Sequence, residues 1–94
     1  MRRPADDMTD SADDRILEYL SETDFAAPKE IAEVTGKNND YIGRRCRVLK
    51  NLRLVETPGR GLYRITDLGG EYLSGELDAR TLEAEDTDDE QSDE

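Results

Sequence analysis

IAEVTGKNNDYIGRRCRVLKN, residues 31–51, is the stretch from which the fold of this 94-residue chain can be inferred. Its first half carries a stripe at helical spacing that comprises Ile31, Ala32 and Thr35. Pro28 suits the first turn of this helix, where a backbone N–H has no partner, and Gly36 can adopt the left-handed conformation that ends it. The pattern predicts a short helix over residues 28–35 and a tight turn after it.

A further helix is predicted after the turn. Asn38 or Asn39 can accept a backbone N–H at its start, and the helix continues to about Leu52. One of its faces stacks Ile42, Cys46 and Leu49. Cys46 is therefore most simply a small buried apolar residue. The alternative is a redox thiol activated by neighbouring arginines, and it is disfavoured because adjacent residues point to different sides of a helix.

The opposite side of this helix is polar and mostly basic. It comprises Asp40, Arg44, Arg47 and Asn51, with Tyr41 and Val48 on one shoulder and Gly43 and Lys50 on the other. Arg45 lies nearer the core edge, where its head group can meet an acidic residue of the first or second helix. Solvated helix faces are usually charged, so this face by itself indicates solubility more than a binding site.

Charge is distributed unevenly along the chain. Residues 37–64 contain eight basic and two acidic residues, a net charge of +6, whereas the whole chain carries −11 and the remainder therefore −17. A basic segment in so acidic a chain indicates an anionic partner, and nucleic acid is the commonest large one. The acidic excess suits a halophilic cell with molar salt inside, and an ordinary acidic protein with a disordered tail is the alternative.

The segments around residues 28–52 complete a small domain. A capping-box pattern opens a first helix over residues 12–22. Strands are predicted over residues 54–56 and 62–65, with a Pro- and Gly-containing tip between them. Two helices joined by a short turn at a glycine form a helix-turn-helix, and a hairpin directly after the second helix is a wing.

The last helix is predicted to begin near Asp67, after a Thr66 cap, and to have two apolar sides. One side comprises Leu68, Tyr72, Ala79 and Leu82 and can cover the domain's own core. Leu73 and Leu77 lie on the other side, and we expect them to be the contacts of a homodimer because two-fold dimers are the commonest oligomers. The alternative is a frayed end, since three glycines weaken this helix.

Both ends of the chain are expected to lie outside the domain. Residues 83–94 hold eight acidic residues and no basic one. We expect a disordered acidic N-terminus over 1–10, the domain with its dimerisation helix over 11–82, and a disordered tail over 83–94. The twin arginine near the start precedes acidic residues rather than an apolar run, so we expect no signal peptide, no membrane partner and a cytoplasmic protein.

The cysteine and histidine counts limit the chemistry that this chain can perform. One Cys and no His leave it without the usual zinc-ligand sets and without a Cys/His or Ser/His catalytic pair. We therefore expect no metal, no cofactor, no small-molecule substrate and no enzymatic activity.

VLKNLRLVE followed by GLYRITDLGGEYL resembles the winged helix-turn-helix transcription regulators from the recognition helix through the wing. RILEYL, RCRVLKNL and YRITDLGGEYLSGEL are more narrowly similar to haloarchaeal members related to a haloarchaeal phage repressor. The resemblance covers about residues 12–79. It implies a mainly α fold with a small β-hairpin (α+β), in which a three-helix core is followed by a wing and a C-terminal helix.

The resemblance also implies a set of residues that contact double-stranded DNA. The reading-helix contacts fall on Asn39, Asp40, Tyr41, Gly43, Arg44 and Arg47, and the wing-tip arginine on Arg60. Lys50 and Arg64 belong to the same basic segment and complete the set. Asp40 either accepts from a cytosine amino group or is only a helix-start charge. Arg53 departs from the pattern because many members have Gly there.

The function implied by these features is that of a sequence-specific DNA-binding regulator. No sensing domain fits in the remaining chain, so the simplest mechanism is that a dimer occupies a promoter and represses transcription. A winged-helix module that binds protein instead of DNA is the alternative, and it would leave Arg44 and Arg47 without a task.

Overall fold

The computed structural model describes residue 8, residues 11–78 and residue 80. Four helices and one hairpin follow each other in the order α1 (Ser11–Glu22), α2 (Pro28–Thr35), α3 (Asn39–Asn51), β1 (Val55–Glu56), β2 (Arg64–Ile65) and α4 (Asp67–Ser74). The α+β winged helix-turn-helix fold is therefore confirmed. The first three helices pack on one another, and α4 packs on α1 and β2.

The turn between α2 and α3 is built as its residues predict. Gly36 has φ 73°, and its backbone N–H donates to the Ala32 carbonyl oxygen over 2.8 Å. Asn38 is the N-cap of α3, since its Oδ1 accepts from the N–H groups of Asp40 at 2.8 Å and Tyr41 at 3.2 Å. The turn thus fixes where α3 begins and which of its sides faces outward.

The two strands of the wing are shorter than predicted, and an isolated bridge to a third segment lies beside them. β1 and β2 pair antiparallel with Glu56 opposite Arg64. Ala26, in the loop between α1 and α2, also pairs with Tyr63 through two backbone hydrogen bonds of 2.9 and 2.8 Å. This pairing ties the base of the wing to the loop that precedes the helix-turn-helix.

The apolar stripe of α3 lies in the core. Ile42, Cys46 and Leu49 have no exposed surface. Burial raises the pKa of the Cys46 thiol to about 12, with a further rise from the nearby Asp13 carboxylate and a small opposing effect of Arg47. The prediction of a buried structural cysteine is confirmed, since a thiol with so high a pKa is not reactive near neutral pH.

Arg45 is tied to α1 by a bidentate ion pair. Its Nε donates to Asp13 Oδ1 over 2.8 Å and a terminal NH₂ to Oδ2 over 2.6 Å, with Asp13 only 1% exposed. The prediction that this head group meets an acid of the first or second helix is confirmed. Asp13, predicted only as a first-turn charge, instead orients α3 against α1, because an unpaired carboxylate at this depth would be strongly unfavourable.

The last helix is shorter than predicted. α4 ends at Ser74, and Gly75 follows with φ 85° in the left-handed conformation. The Glu71 carbonyl oxygen accepts from the N–H groups of Glu76 at 2.9 Å and Leu77 at 3.2 Å, so the chain turns away from the helix axis. The predicted helical face shared by Leu73 and Leu77 is therefore wrong, and both side chains pack partly buried against the core.

The predicted domain boundary at residue 11 leaves out one core residue. Met8 is 7% exposed and belongs to the buried cluster, although residues 1–10 were expected to lie outside the domain. The predicted tail over residues 83–94 lies outside the described residues. Within the part of the chain that the structure describes, no helix has the length and apolar character needed to cross a bilayer.

Candidate nucleic-acid interface

Most of the predicted reading residues lie around one shallow concavity on the outer side of α3. It has a volume of about 410 Å³ and is lined by Pro28, Asn39, Asp40, Gly43, Arg44 and Arg47. The first turns of α3 supply most of the lining, and Pro28 brings in the start of α2. Residues four apart on a helix share a side, which is why positions 39, 40, 43, 44 and 47 meet here.

Arg44 and Arg47 supply the positive charge of this surface. Both are exposed, and neither forms an ion pair with an acid among the described residues. The Arg44 guanidinium carbon lies 5.9 Å from the centre of the Tyr41 ring. A cation over an aromatic ring is attracted to it, so Tyr41 restricts the directions that Arg44 can take.

Tyr41 is a support for this surface more than a part of its lining. Its ring packs partly buried against the core. Its hydroxyl is buried and finds no hydrogen-bond partner in the described part of the chain. Tyr41 therefore does not line the concavity with Asn39 and Arg44; its ring lies beside the Arg44 guanidinium, and its predicted contact with DNA stays a prediction.

Asp40 is the one carboxylate that lines the concavity. It is exposed, and its backbone N–H is bound by the Asn38 cap in the first turn of α3. That position suits a negative charge because the helix dipole is positive there. Its side chain can also accept a hydrogen bond from a cytosine amino group, so both interpretations fit its place.

The three remaining predicted DNA-binding residues lie outside the concavity. Arg60 is exposed at the tip of the wing, and Lys50 is exposed in the last turn of α3. Arg64 pairs with Glu56 across the hairpin, with its Nε donating to Glu56 Oε2 over 2.7 Å and both side chains 50% exposed. Glu56 offsets the charge of Arg64, which leaves Arg60 as the positive group at the tip.

Sequence analysis missed Pro28 as part of this surface and Asp13 as the anchor of Arg45. A signal for Asp13 exists, because Asp13 stands on the same stripe as Ile16, Leu17 and Leu20 at helical spacing, all of which are buried. A carboxylate on an apolar stripe requires a cation from elsewhere in the fold. Pro28 gives no such signal, since its place beside α3 depends on how the two helices pack.

Residues 1–85 match the family model described as winged helix-turn-helix phage repressor. The chain belongs to this family. The family and the fold are those of a transcription regulator, which supports a DNA-binding regulator in general terms. The match confirms the resemblance inferred from the segments around the recognition helix and the wing.

A solved structure supports the same assignment. The crystal structure of the PhiH1 repressor-like protein from Haloarcula marismortui is similar to this chain, with a TM-score of 0.80 and 31% sequence identity. The match covers 89% of this chain and 97% of that one. A search of curated proteins gave no match.

The described residues hold no cluster of Cys, Asp and Glu side chains that could bind a metal ion.

Proposed function

We propose that this member of the phage repressor family is a sequence-specific DNA-binding repressor that acts as a dimer in a high-salt cytoplasm. The observation that carries the proposal is the concavity on α3, where Arg44 and Arg47 stand beside polar Asn39 and form no ion pair with any described residue, although Asp40 lines the same concavity. Contacts among the described residues give these two arginines no structural role comparable to that of Arg45, which is paired with Asp13 and partly buried.

The arrangement fits the major groove of B-DNA, whose width accepts one α-helix. The Asn38 cap fixes the exposed start of α3, and the Tyr41 ring restricts the Arg44 side chain. Arg side chains can donate two hydrogen bonds to a guanine edge, and an Asn side chain can do the same for adenine. Arg60 then meets the neighbouring backbone or minor groove, which positions α3 along the duplex.

High salt decides which interactions can contribute to binding. At molar KCl the screening length is about 3 Å, so attraction between the basic surface and distant phosphates contributes little. Close hydrogen bonds to base edges and phosphates must therefore supply the affinity. The charge of −11 on the chain agrees with this setting, because screening also reduces the repulsion among its acidic groups.

Dimerisation is proposed through the surface formed by α4 and the segment after it. Leu73 and Leu77 remain partly exposed although both contact the core. Leu73 also lines a second concavity, of about 560 Å³, between α1 and α4. A two-fold dimer would cover these apolar groups and would place two reading helices on two half-sites of one operator.

The reading role of α3 is tested by binding in molar KCl. Sequences bound by the wild type are selected from random duplexes, and Arg44→Ala and Arg47→Ala are then measured on the selected operator and on its single-base variants. A lost bidentate contact costs about 1–3 kcal/mol and relaxes discrimination at one base pair. Arg15→Ala removes the same charge from an exposed position on α1 and should bind as the wild type does.

Arg60→Ala tests whether Arg60 contributes to affinity through the phosphate backbone without contributing to base recognition. It should weaken binding to all sequences alike, because a phosphate contact carries no sequence information. If the double variant Arg44→Ala with Arg47→Ala keeps wild-type affinity and discrimination, α3 is not the reading element. If the wild type selects no sequence and shifts no duplex, the protein-binding module is the better description of this fold.

The dimer is tested by sedimentation equilibrium of the wild type and of Leu77→Glu, with circular dichroism to verify the fold. We expect a dimer for the wild type and a monomer for the variant, since a charge at a covered apolar contact is unfavourable. Val34→Glu places the same charge on an apolar side chain that is 54% exposed on α2, and its mass should not change. A monomeric wild type contradicts the proposal.

A further inference from the structure

Gly43 stands in the middle of α3 and lines the concavity between Asn39 and Arg47. Glycine is less favourable than alanine inside a helix, because it loses more backbone freedom on folding. A residue that weakens the helix on which the whole interface depends requires an explanation from its surroundings.

The protein's own structure provides no such explanation. The glycines with positive φ in the described part of the chain are Gly36, Gly61 and Gly75, so Gly43 has a backbone conformation that alanine adopts equally well. A Cβ atom added at Gly43 would meet no described atom within 4 Å. Gly69 shows the contrast, since a Cβ there would lie 2.3 Å from the Leu54 carbonyl oxygen.

No described residue fills the space in front of Gly43, and this space lies on the proposed reading surface, so a group from a partner molecule can occupy it. Arg44 and Arg47 flank it, so an isologous contact with a second copy would bring like charges together. A polyanion meets no such repulsion. Within the proposed function, on which this inference rests, that polyanion is the operator DNA.

The kind of contact that Gly43 can make depends on which of its groups remain available in the folded helix. It has no side chain, and in a helix its backbone N–H is used by the carbonyl four residues earlier. It can therefore make only a close van der Waals contact. In the major groove the apolar group that projects from a base edge is the C5-methyl of thymine.

We propose that Gly43 is a specificity-determining residue, whose missing side chain accommodates the C5-methyl group of one thymine in the operator. Arg44 and Arg47 hydrogen-bond on either side of this contact. Because Gly43 has no Cβ, α3 lies closer to the base edge than a helix with a side chain at this position could. A side chain at this position would fill the volume that the thymine methyl occupies.

The first experiment compares two glycine substitutions. Gly43→Ala and Gly70→Ala both add a Cβ in a helix where the described structure leaves open space, but Gly70 lies on α4, away from the reading surface. Each should raise Tm by about 4–8 °C, as expected for the better helix former in a domain of this size. Gly43→Ala should bind the selected operator at least about tenfold more weakly than the wild type, whereas Arg15→Ala, which lies outside both concavities, should bind as tightly as the wild type. Gly70→Ala is the control for stability only, because Gly70 lines the second concavity beside Leu73.

The second experiment removes the methyl group from the DNA. Each thymine of the selected operator is replaced in turn by deoxyuridine, which lacks only the C5-methyl. One replacement should restore most of the affinity of Gly43→Ala while changing that of the wild type far less. This result would show that the Cβ added by Gly43→Ala and the C5-methyl of that thymine compete for the same volume.

The outcomes separate this inference from the function on which it rests. A wild type that selects no operator refutes the proposed function itself. A wild type that binds its operator while Gly43→Ala binds equally well or better overturns the role of Gly43 alone. A loss of affinity that no deoxyuridine restores overturns the thymine contact.

Discussion

Arg45 and Cys46 are neighbours in the sequence, and both are removed from solvent for different reasons. Arg45 can be partly buried because Asp13 accepts two hydrogen bonds from it, whereas Cys46 is buried because it is small and apolar when protonated. Arg44 and Arg47 stay exposed on the other side of the helix. A rotation of 100° per residue thus assigns four consecutive residues to a binding surface, an anchor and the core.

The buried thiol predicts how stability depends on pH. The pKa of Cys46 is raised from 9.0 to about 12, so the folded protein holds this proton more tightly than the unfolded chain does. The corresponding stability is complete below pH 9 and is lost as the pH rises towards 12. Relative to Cys46→Ala, the wild type should lose up to about 1.4 kcal/mol per pH unit above pH 9 in urea unfolding. Parallel pH profiles of the two proteins would contradict this.

Arg53 provides a second prediction at a single residue. It has φ 67°, in the left-handed region that side chains avoid, at the position where it departs from the many winged-helix regulators that have glycine. Arg53→Gly should be more stable than Arg53→Ala by about 1 kcal/mol, because both lose the arginine side chain and only glycine loses the strain. Urea unfolding of the two variants measures the difference. Equal stabilities would mean that the backbone relaxes around alanine.

Among the elements, α4 owes its position to close contact with the wing. Gly69 lies against the Leu54 carbonyl oxygen and the Ile65 side chain, so the helix approaches the sheet without an intervening Cβ. Thr66 caps the helix and its hydroxyl also donates to the Arg53 carbonyl oxygen over 2.7 Å. The same threonine therefore connects α4 to Arg53, two residues after the end of α3.

Two adjacent substitutions test this contact. Gly69→Ala places a Cβ 2.3 Å from the Leu54 carbonyl oxygen and 2.6 Å from Ile65 Cγ1, which forces α4 away from the sheet. We expect it to destabilise the fold by about 1–3 kcal/mol. Gly70→Ala, with open space in front of it, should stabilise by about 1 kcal/mol. Thermal unfolding distinguishes the two, and a stabilising Gly69→Ala would show that the contact is loose.

At the scale of the whole molecule, the core reaches beyond the helices and the hairpin. Met8 precedes α1 and still belongs to the buried cluster. A domain of about seventy residues has a small core and a low net stability, so one apolar side chain is a considerable share of it. The expected boundary at residue 11 therefore places a contributor to the core outside the domain.

Truncation tests this contribution. A chain that begins at residue 11 should be less stable than one that begins at residue 7 by about 2–5 kcal/mol, the usual cost of removing a buried methionine side chain. Met8→Ala in the full chain should show a similar loss. Urea unfolding in molar KCl gives the three values. Equal free energies of unfolding for both truncated chains would mean that Met8 contributes no net stability.

Local interactions encoded in neighbouring residues set the starts of the helices, the end of α2 and the turn that orients α3. Pro28, Gly36, Asn38 and Thr66 act on backbone groups within four residues of themselves, so their effect can be predicted without the rest of the fold. The basic face of α3 follows from the same local geometry. For this reason the order of the helices and the composition of the basic face of α3 could be predicted from the printed residues, whereas the family was inferred from a resemblance to known regulators.

The contacts between residues that are distant in the sequence depend on how the elements pack in three dimensions. Asp13 and Arg45 are 32 positions apart, and the pairing of Ala26 with Tyr63 and the burial of Met8 likewise depend on how whole elements pack. The open space at Gly43 and the crowding at Gly69 look alike in sequence, because a glycine does not reveal what lies in front of it. That distinction depends on atoms brought from elsewhere in the fold, and packing alone supplies them.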